Sequence, residues 1–388
     1  MKKLKLTDIA PYSGKRVQPF HGIKRYMSTG DLKGDNISFE DITYDNKPSR
    51  ADILVSEGDI LFAKMTNTNK ALQIDKELDG LIVSTGFSVH RPLENILNGD
   101  YFLQFLKHQE FQKQKNKLCT GAIQSAISNS GIEKILVPVP SYNDQVHIAN
   151  LLSKAENLIS QRKESIRLLD DFLKSTFLEM FGDPINNPKR WEVIPLESLC
   201  EKIVDCPHET PKYEEYKTEF YCVRSSDIED GYINLSETKC VSYDTYIHRI
   251  LRHEPKSGEV IYTREGGRLG NAARIPKGEK ICLGQRMMLF IADNNISNNE
   301  FIWALLNTVS IKKLVANLSG GGAAPRINIG QLRIIKTINP SIKLQNRFAQ
   351  IVEKTEVLKK QHQKSLQELE NLYNSLSQKA FKGELTLK

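Results

Sequence analysis

The sequence predicts an α+β chain in which two pseudo-repeated mixed α/β domains alternate with two long helices of coiled-coil pattern. Three observations carry this prediction. The chain has 388 residues, more than one ordinary core accommodates. It resembles itself at an offset of 200 residues, and each similar half ends in a heptad pattern. Pro140-Ser141 returns as Pro340-Ser341, Gln145 as Gln345, Ala149 as Ala349, Lys154 as Lys354, Glu156 as Glu356, Leu158 as Leu358, Ser165 as Ser365, Leu169 as Leu369, Ser175 as Ser375 and Phe181 as Phe381, in one register without a gap. The same offset aligns 56–64 with 256–264, each a Gly turn feeding a short apolar strand that ends on a cation, Lys64 or Arg264. Between these anchors the halves diverge. The expected boundaries are a first domain over 1–140, a helix over 141–182, a second domain over 183–340 and a second helix over 341–383.

Each domain carries short strand candidates, such as 60–62 and 287–291, separated by Gly, Asn and Asp turns. Each also carries one late helix, expected over 101–117 and 300–318. A small-residue loop follows: Thr120-Gly121-Ala122-Ile123-Gln124-Ser125 in the first copy, Ser319 to Arg326 in the second. Small side chains there permit close approach to a phosphodiester, although composition is equally served by a plain connector.

The first long helix opens with Ser141 and Asp144 in capping-box spacing and stops at Gly182 and Pro184; Gly383 stops the second. Its seam is Leu152, Ile159, Ile166, Leu173 and Met180, with Leu169 alongside. In the second copy, three-four spacing marks Leu344, Phe348, Ile351, Thr355, Leu358, His362, Ser365, Leu369, Leu372 and Leu376. Helices of this length span about 55–60 Å. Arg162 and Ser165 in one copy, His362 and Ser365 in the other, fall at one level of the seam. They read either as tolerated imperfections or as a polar layer that fixes register.

Lys+Arg 54 against Asp+Glu 47 gives a net charge of +7, basic without being histone-like. No apolar run reaches the roughly 20 residues that span a bilayer, and the first residues lack a signal-peptide core, so no membrane is expected and the cytoplasm is the expected compartment. The six cysteines form no Cys-x-x-Cys pair and read as reduced, packed thiols.

No catalytic constellation emerges. The stretch Gly266-Gly267-Arg268-Leu269-Gly270-Asn271 lacks the Lys-Ser/Thr ending of a P-loop, and no methyltransferase signature is present. Asp205 with Glu215 and Lys217 only loosely resembles a nuclease set. His208, His248 and His253 read as surface or loop residues without metal-ligand spacing. The paired loops instead collect side chains suited to DNA: Lys64, Asn67 and Asn69 against Arg264, Arg268 and Asn271; Thr85 against Gln285 and Arg286; Gln124 and Ser125 against Arg326. Arg and Lys pair with guanine edges and Asn and Gln with adenine, so such residues can discriminate bases. Exposed polar loops without a ligand, on a coiled-coil scaffold that assembles partners, are the competing reading.

The residues Leu169-Asp170-Asp171-Phe172-Leu173-Lys174-Ser175-Thr176-Phe177-Leu178-Glu179-Met180-Phe181-Gly182-Asp183-Pro184, the repeated Pro-Ser-x-x-x-Gln and the Gly-acidic-apolar strand of each half resemble the DNA-specificity subunits of type I restriction–modification systems, over the whole chain. The resemblance implies two target recognition domains, each reading one half of a bipartite double-stranded DNA target, held apart by an antiparallel coiled coil of the two family-conserved helices. It implies assembly with two methyltransferase subunits and, for cleavage, with restriction subunits. S-adenosylmethionine, ATP and Mg are then bound by those partners, with no cofactor and no catalysis in this chain.

Overall fold

The computed structural model describes residues 1–34, 36–121, 125–320, 322 and 324–385. They form two compact α/β units: Met1–Lys163 with Lys364–Lys388, and Glu164–Gln363. Each unit therefore holds the start of one long helix and the end of the other.

In the first unit, strand Lys2–Lys5 pairs antiparallel with Leu136–Val139 and joins the two ends of the domain. A five-stranded sheet runs Lys15–Arg16, Ala51–Leu54, Ile82–Ser84, Lys24–Met27, Glu40–Ile42, and a three-stranded sheet runs Phe87–His90, Ile60–Ala63, Ala71–Gln73. The second unit repeats the plan. Glu192–Pro195 pairs with Lys336–Asn339, and Val260–Thr263 lies between Met287–Ala292 and Ala272–Arg274, with Cys200–Asp205 beyond. Lys24–Met27 beside Ile82–Ser84 and Phe220–Val223 beside Lys280–Leu283 are parallel pairs. The Gly turns expected before the central strands are present, Gly58 at φ +85° and Gly258 at φ +89°, a conformation that glycine adopts without strain.

Each expected late helix is two helices. Gly99–Lys107 and Gln109–Leu118 break at His108, and Asn299–Leu306 and Val309–Leu318 break at Asn307 and Thr308. His108 and Thr308 are extended, and each side chain caps the following helix by accepting a backbone N–H.

The long helices are Tyr142–Phe181 and Ile342–Lys382. Ser141 Oγ accepts the Asp144 N–H at 3.2 Å, and Gly182 and Gly383 end the helices at φ +77° and +76°. The repeated glutamine has a physical role. Gln145 accepts the Asn98 N–H (2.8 Å) and donates to the carbonyls of Ile96 (3.0 Å) and Pro140 (3.2 Å). Gln345 makes the same three bonds to Asn298, Ile296 and Pro340. Both are buried and lock helix to domain.

The helices pack antiparallel within each unit. In the first, Tyr373 meets Glu156 and Lys163 meets Glu370; in the second, Lys359 meets Asp170 while Phe348 meets Phe177 and Phe181. Positions 151–170 and 351–370 share one pattern of burial, residue for residue. Leu152, Leu173 and Phe348 are buried, and Ile159, Ile166, Leu169, Met180, Ile351, Leu369 and Leu376 half-buried. Leu358 and Leu372 are 47% and 50% exposed; Lys359 and Tyr373, one residue further on, face the other helix. Phe181 and Phe381 dock the helix ends, Phe181 on Phe301 (5.1 Å) and Phe381 on Tyr101 (5.4 Å) and Phe105 (5.6 Å).

All six cysteines are free thiols. Among the described residues no single helix is long and apolar enough to cross a membrane.

Candidate nucleic-acid interface

In each unit, three loops are joined at the end of the central strand by the same backbone bonds. In the first unit, the Lys64 N–H donates to Gly86 (2.9 Å), the Ile127 N–H to Lys64 (3.0 Å) and the Thr66 N–H to Ser125 (2.9 Å). In the second, the Arg264 N–H donates to Arg286 (3.2 Å), the Ile327 N–H to Arg264 (3.1 Å) and the Gly266 N–H to Pro325 (2.9 Å). Single bridges Met65 to Ala126 and Glu265 to Arg326 sit at the same place. The three loop pairs singled out in the sequence thus form one surface per unit.

In the first unit, Lys64 is half-buried, and burial lowers its ammonium below the usual lysine range. Asn67 is exposed at φ +53°, and its side chain accepts from Asn116 (3.1 Å). Asn69 donates to the Lys107 carbonyl (3.0 Å) and accepts from Gln112 (3.1 Å). Thr85 is exposed and Ser125 half-buried; Gln124 lies outside the described residues.

In the second unit, Arg264 is only 14% exposed and faces Asp205 at 3.5 Å, with His208 Nδ1 at 3.5 Å. Its guanidinium is held by the fold rather than presented. Arg268 donates to the Ile228 carbonyl (2.6 Å) and Gln285 to that of His208 (2.6 Å), while Asn271 is half-buried. Arg286 is 53% exposed at φ +68°, 3.4 Å from Glu265, and Arg326 is exposed.

His208 and His248 lie exposed and His253 in a loop, where the sequence reads them, and each meets a carboxylate. His208 pairs with Asp205 (3.0 Å), His248 with Glu209 (3.1 Å) and His253 with Glu259 (2.9 Å), and His253 is largely covered. These pairings lie three to 39 residues apart in sequence, beyond what spacing alone could signal. Asp205 is engaged by Arg264 and His208; among the described residues no hydrogen bond or ion pair joins it to Glu215 or Lys217, and no group of three or more His, Cys, Asp or Glu side chains is placed to hold a metal.

Two segments, residues 1–168 and 188–371, match the family model for the type I restriction modification DNA specificity domain, once over each half of the chain. The chain belongs to this family. It is a specificity subunit of a type I restriction enzyme, recognising the DNA target and itself non-catalytic. It is 24% identical over 393 residues to the MjaVIII specificity subunit of Methanocaldococcus jannaschii, covering 96% of this chain and 88% of the relative. It is 21% identical over 328 residues to the EcoKI specificity subunit of Escherichia coli K12, covering 77% and 68%. The fold of the specificity subunit from Mycoplasma genitalium is similar (TM-score 0.56, 16% identity, 100% and 96% covered). So is that of a chain from a structural study of assembly and conformational transition in a type I restriction–modification system (TM-score 0.61, 18% identity, 99% and 98% covered).

Proposed function

We propose that this specificity subunit reads an asymmetric, bipartite duplex, one half-site with each unit, and that the two long helices set the spacing between half-sites. The observation that carries the reading is the repeated joining of three loops around a strand that ends on Lys64 or Arg264. Identical backbone bonds provide a common frame, and different side chains on that frame provide different base preferences. Domains over 1–140 and 183–340 act as target recognition domains, and helices over 141–182 and 341–383 as the spacer.

In the first unit Lys64, Asn67, Asn69, Thr85, Gln124 and Ser125 form the reading set. In the second, Arg268, Arg286 and Arg326 are the residues exposed enough to reach base edges, Arg268 with one amino group held by the Ile228 carbonyl, while Asn271 and Gln285 shape the loops and Arg264 orients them through Asp205.

The partners of this reading are two methyltransferase subunits, with restriction subunits joining for cleavage; S-adenosylmethionine, ATP and Mg belong to them, in the cytoplasm. Exposed Leu158 and Leu372 each precede a seam residue in the first unit, as Phe172 and Leu358 do in the second. In an antiparallel pair these positions share a flank, so each unit offers one equivalent apolar patch, which supports two copies of one partner.

Methylation-sensitive sequencing of DNA exposed to the chain and its methyltransferase tests the reading. The expected result is one motif of two unlike half-sites around an unread spacer. Replacing residues 1–140 by the equivalent domain of a relative changes one half-site only. A change in both, or a contiguous motif, overturns the proposal.

A further inference from the structure

The loops that close over the central strand are held by different means in the two units. In the second unit, the loop after Thr263 contains Gly266, Gly267 and Gly270, two of them at positive φ. Both loops have one closing bond at the base, Thr263 N–H to Asn271 (2.9 Å) and Ala63 N–H to Lys70 (2.9 Å), but that of the second unit also closes within itself, with the Leu269 N–H donating to Gly266 (3.0 Å) and Gly270 to Thr263 (2.8 Å). The loop after Ala63, Lys64-Met65-Thr66-Asn67-Thr68-Asn69-Lys70, has no glycine, yet it carries Asn67 in the left-handed region. A helix imposes its shape. Asn116 Oδ1 accepts the Asn67 N–H (3.0 Å), Gln112 donates to Asn69, and Lys115, fully buried, donates from Nζ to the carbonyls of Ala63 (3.2 Å) and Thr68 (2.5 Å).

Lys115 is therefore a buried cation without a carboxylate partner among the described residues, its charge met by two carbonyls at the two ends of the loop. Burial lowers its ammonium to about 8, so the site tolerates the charge at a cost that a simple filler would avoid. Its counterpart at the offset of 200 is Val315, buried in the same place on the equivalent helix. Valine suffices where the loop closes itself.

We infer that Lys115 is a specificity-determining positioning residue: by clamping the Ala63 and Thr68 carbonyls it fixes the loop that presents Lys64, Asn67 and Asn69 to the first half-site. This rests on the proposal that the joined loops read DNA. The residue itself never reaches a base. It decides where bases are met, so part of the first unit's sequence preference is encoded in the core beneath the loop rather than in the loop.

The test uses the full chain assembled with its methyltransferase subunits, carrying Lys115→Met, which keeps the hydrocarbon stem and removes the donors. The complex selects from a randomised duplex library at fixed salt. The expected result is at least a tenfold loss of discrimination at one or more positions of the first half-site, with the second half-site unchanged, and faster amide hydrogen exchange over 64–70. An unchanged first half-site, or a uniform weakening of both, overturns the inference. If Lys115→Met does not yield folded chain, Asn116→Ala, which releases Asn67 from the same helix, carries the same expectation and the same refutation. Lys64→Ala separates the two levels. If it alters the first half-site while Lys115→Met does not, the inference alone fails; if neither alters it, the reading of the loops fails as well.

Discussion

The two units share a fold but differ in what they bury beneath it. Where the second unit buries Phe290 and Val315, the first buries His90 and Lys115, at the same registers of the same strand and helix. Among the described residues neither ionisable group has a carboxylate partner. His90 Nδ1–H donates to the Ala10 carbonyl (2.8 Å), which leaves Nε2 to accept from Ser88 Oγ (2.8 Å), and the ring stacks on Phe62 at 5.6 Å. One frame thus accepts either apolar or polar filling, provided that the polar atoms find partners: carbonyls for Lys115 Nζ and His90 Nδ1, a hydroxyl for His90 Nε2. Units that must diverge in what they read can vary the layer under the loops as well as the loops.

The largest expected difference between the units is therefore in their response to pH. Burial lowers His90 to about 4. Its folded value lies below the ordinary 6.5, so the unfolded chain binds the proton more readily, and the first unit loses stability as pH falls from about 6.5 towards 4. The full difference is on the order of 3 kcal/mol. Lys115, also lowered, acts with the same sign in a higher window, so the first unit gains stability as pH rises above about 8. Hydrogen exchange of the full chain checks the acid arm: amides of Phe87–His90 should lose protection at higher pH than those of Met287–Ala292. Equal acid sensitivity of the two strands would break the comparison.

Where the units are alike, equal losses are expected. Gln145→Ala and Gln345→Ala each strand a buried N–H, of Asn98 or Asn298, and two carbonyls, and each should cost about 2 kcal/mol. Denaturant unfolding of the two variants should give shifts that agree within about 0.5 kcal/mol, the usual precision of such comparisons. A marked inequality would mean that the repeated glutamine does different things in the two halves.

The same contrast explains what the sequence could reveal. The offset of 200 exposed the two units, the long helices and the glutamine locks, because one register ran unbroken through a helical pattern. The seam was legible in the first helix. In the second, Leu358 and Leu372 drew the heptad one residue off, since the positions facing the partner helix hold Lys359 and Tyr373, which are polar at their tips. Pairing of Lys2–Lys5 with Leu136–Val139 leaves no local signal, because its partners lie more than 130 residues apart. The loops were legible as candidates from residue type, but their junction needed backbone bonds between distant segments. Arg264 is legible as a cation at the strand end, but Asp205, which faces it, lies 59 residues earlier and leaves no local signal. Lys115 has no part in the sequence reading, and its only marks of burial there are Phe111 one turn earlier on the helix and the apolar Val315 at the offset of 200.

A smaller difference separates the reading surfaces. Arg286 projects from the turn where the first unit has Gly86, so the second unit has a cation there and the first has none. Arg286→Ala should cost about 1–2 kcal/mol on the cognate duplex and relax one position of the second half-site, because Glu265 already competes for part of the guanidinium. Competition binding with single-substituted duplexes at fixed salt checks this. An unchanged ranking of duplexes would shift the reading to Arg326.

The smallest effect concerns the helix pair, where an ion pair joins the two helices in each unit. Lys359 bonds both oxygens of Asp170, at 2.5 and 2.7 Å, with Nζ over the Tyr232 ring at 5.6 Å, and its side chain is 21% exposed. Lys163 meets Glu370 at 3.0 Å through one contact, with its side chain 59% exposed. Solvent screening and the entropy of fixing two long side chains leave exposed pairs worth about 0–1 kcal/mol. The covered pair should stand near the upper end of that range and the exposed pair near zero. Lys359→Met replaces a charge at a seam position with an apolar side chain, so added burial offsets part of the lost pairing. The informative variant is Asp170→Asn, which keeps shape and removes the charge; Glu370→Gln is its control. Asp170→Asn should lower the thermal midpoint in dilute buffer by more than Glu370→Gln does, and the gap should narrow at 1 M salt, where the screening length is about 3 Å. A gap insensitive to salt would mean that packing around Asp170, rather than its charge, distinguishes the two halves of the helix pair.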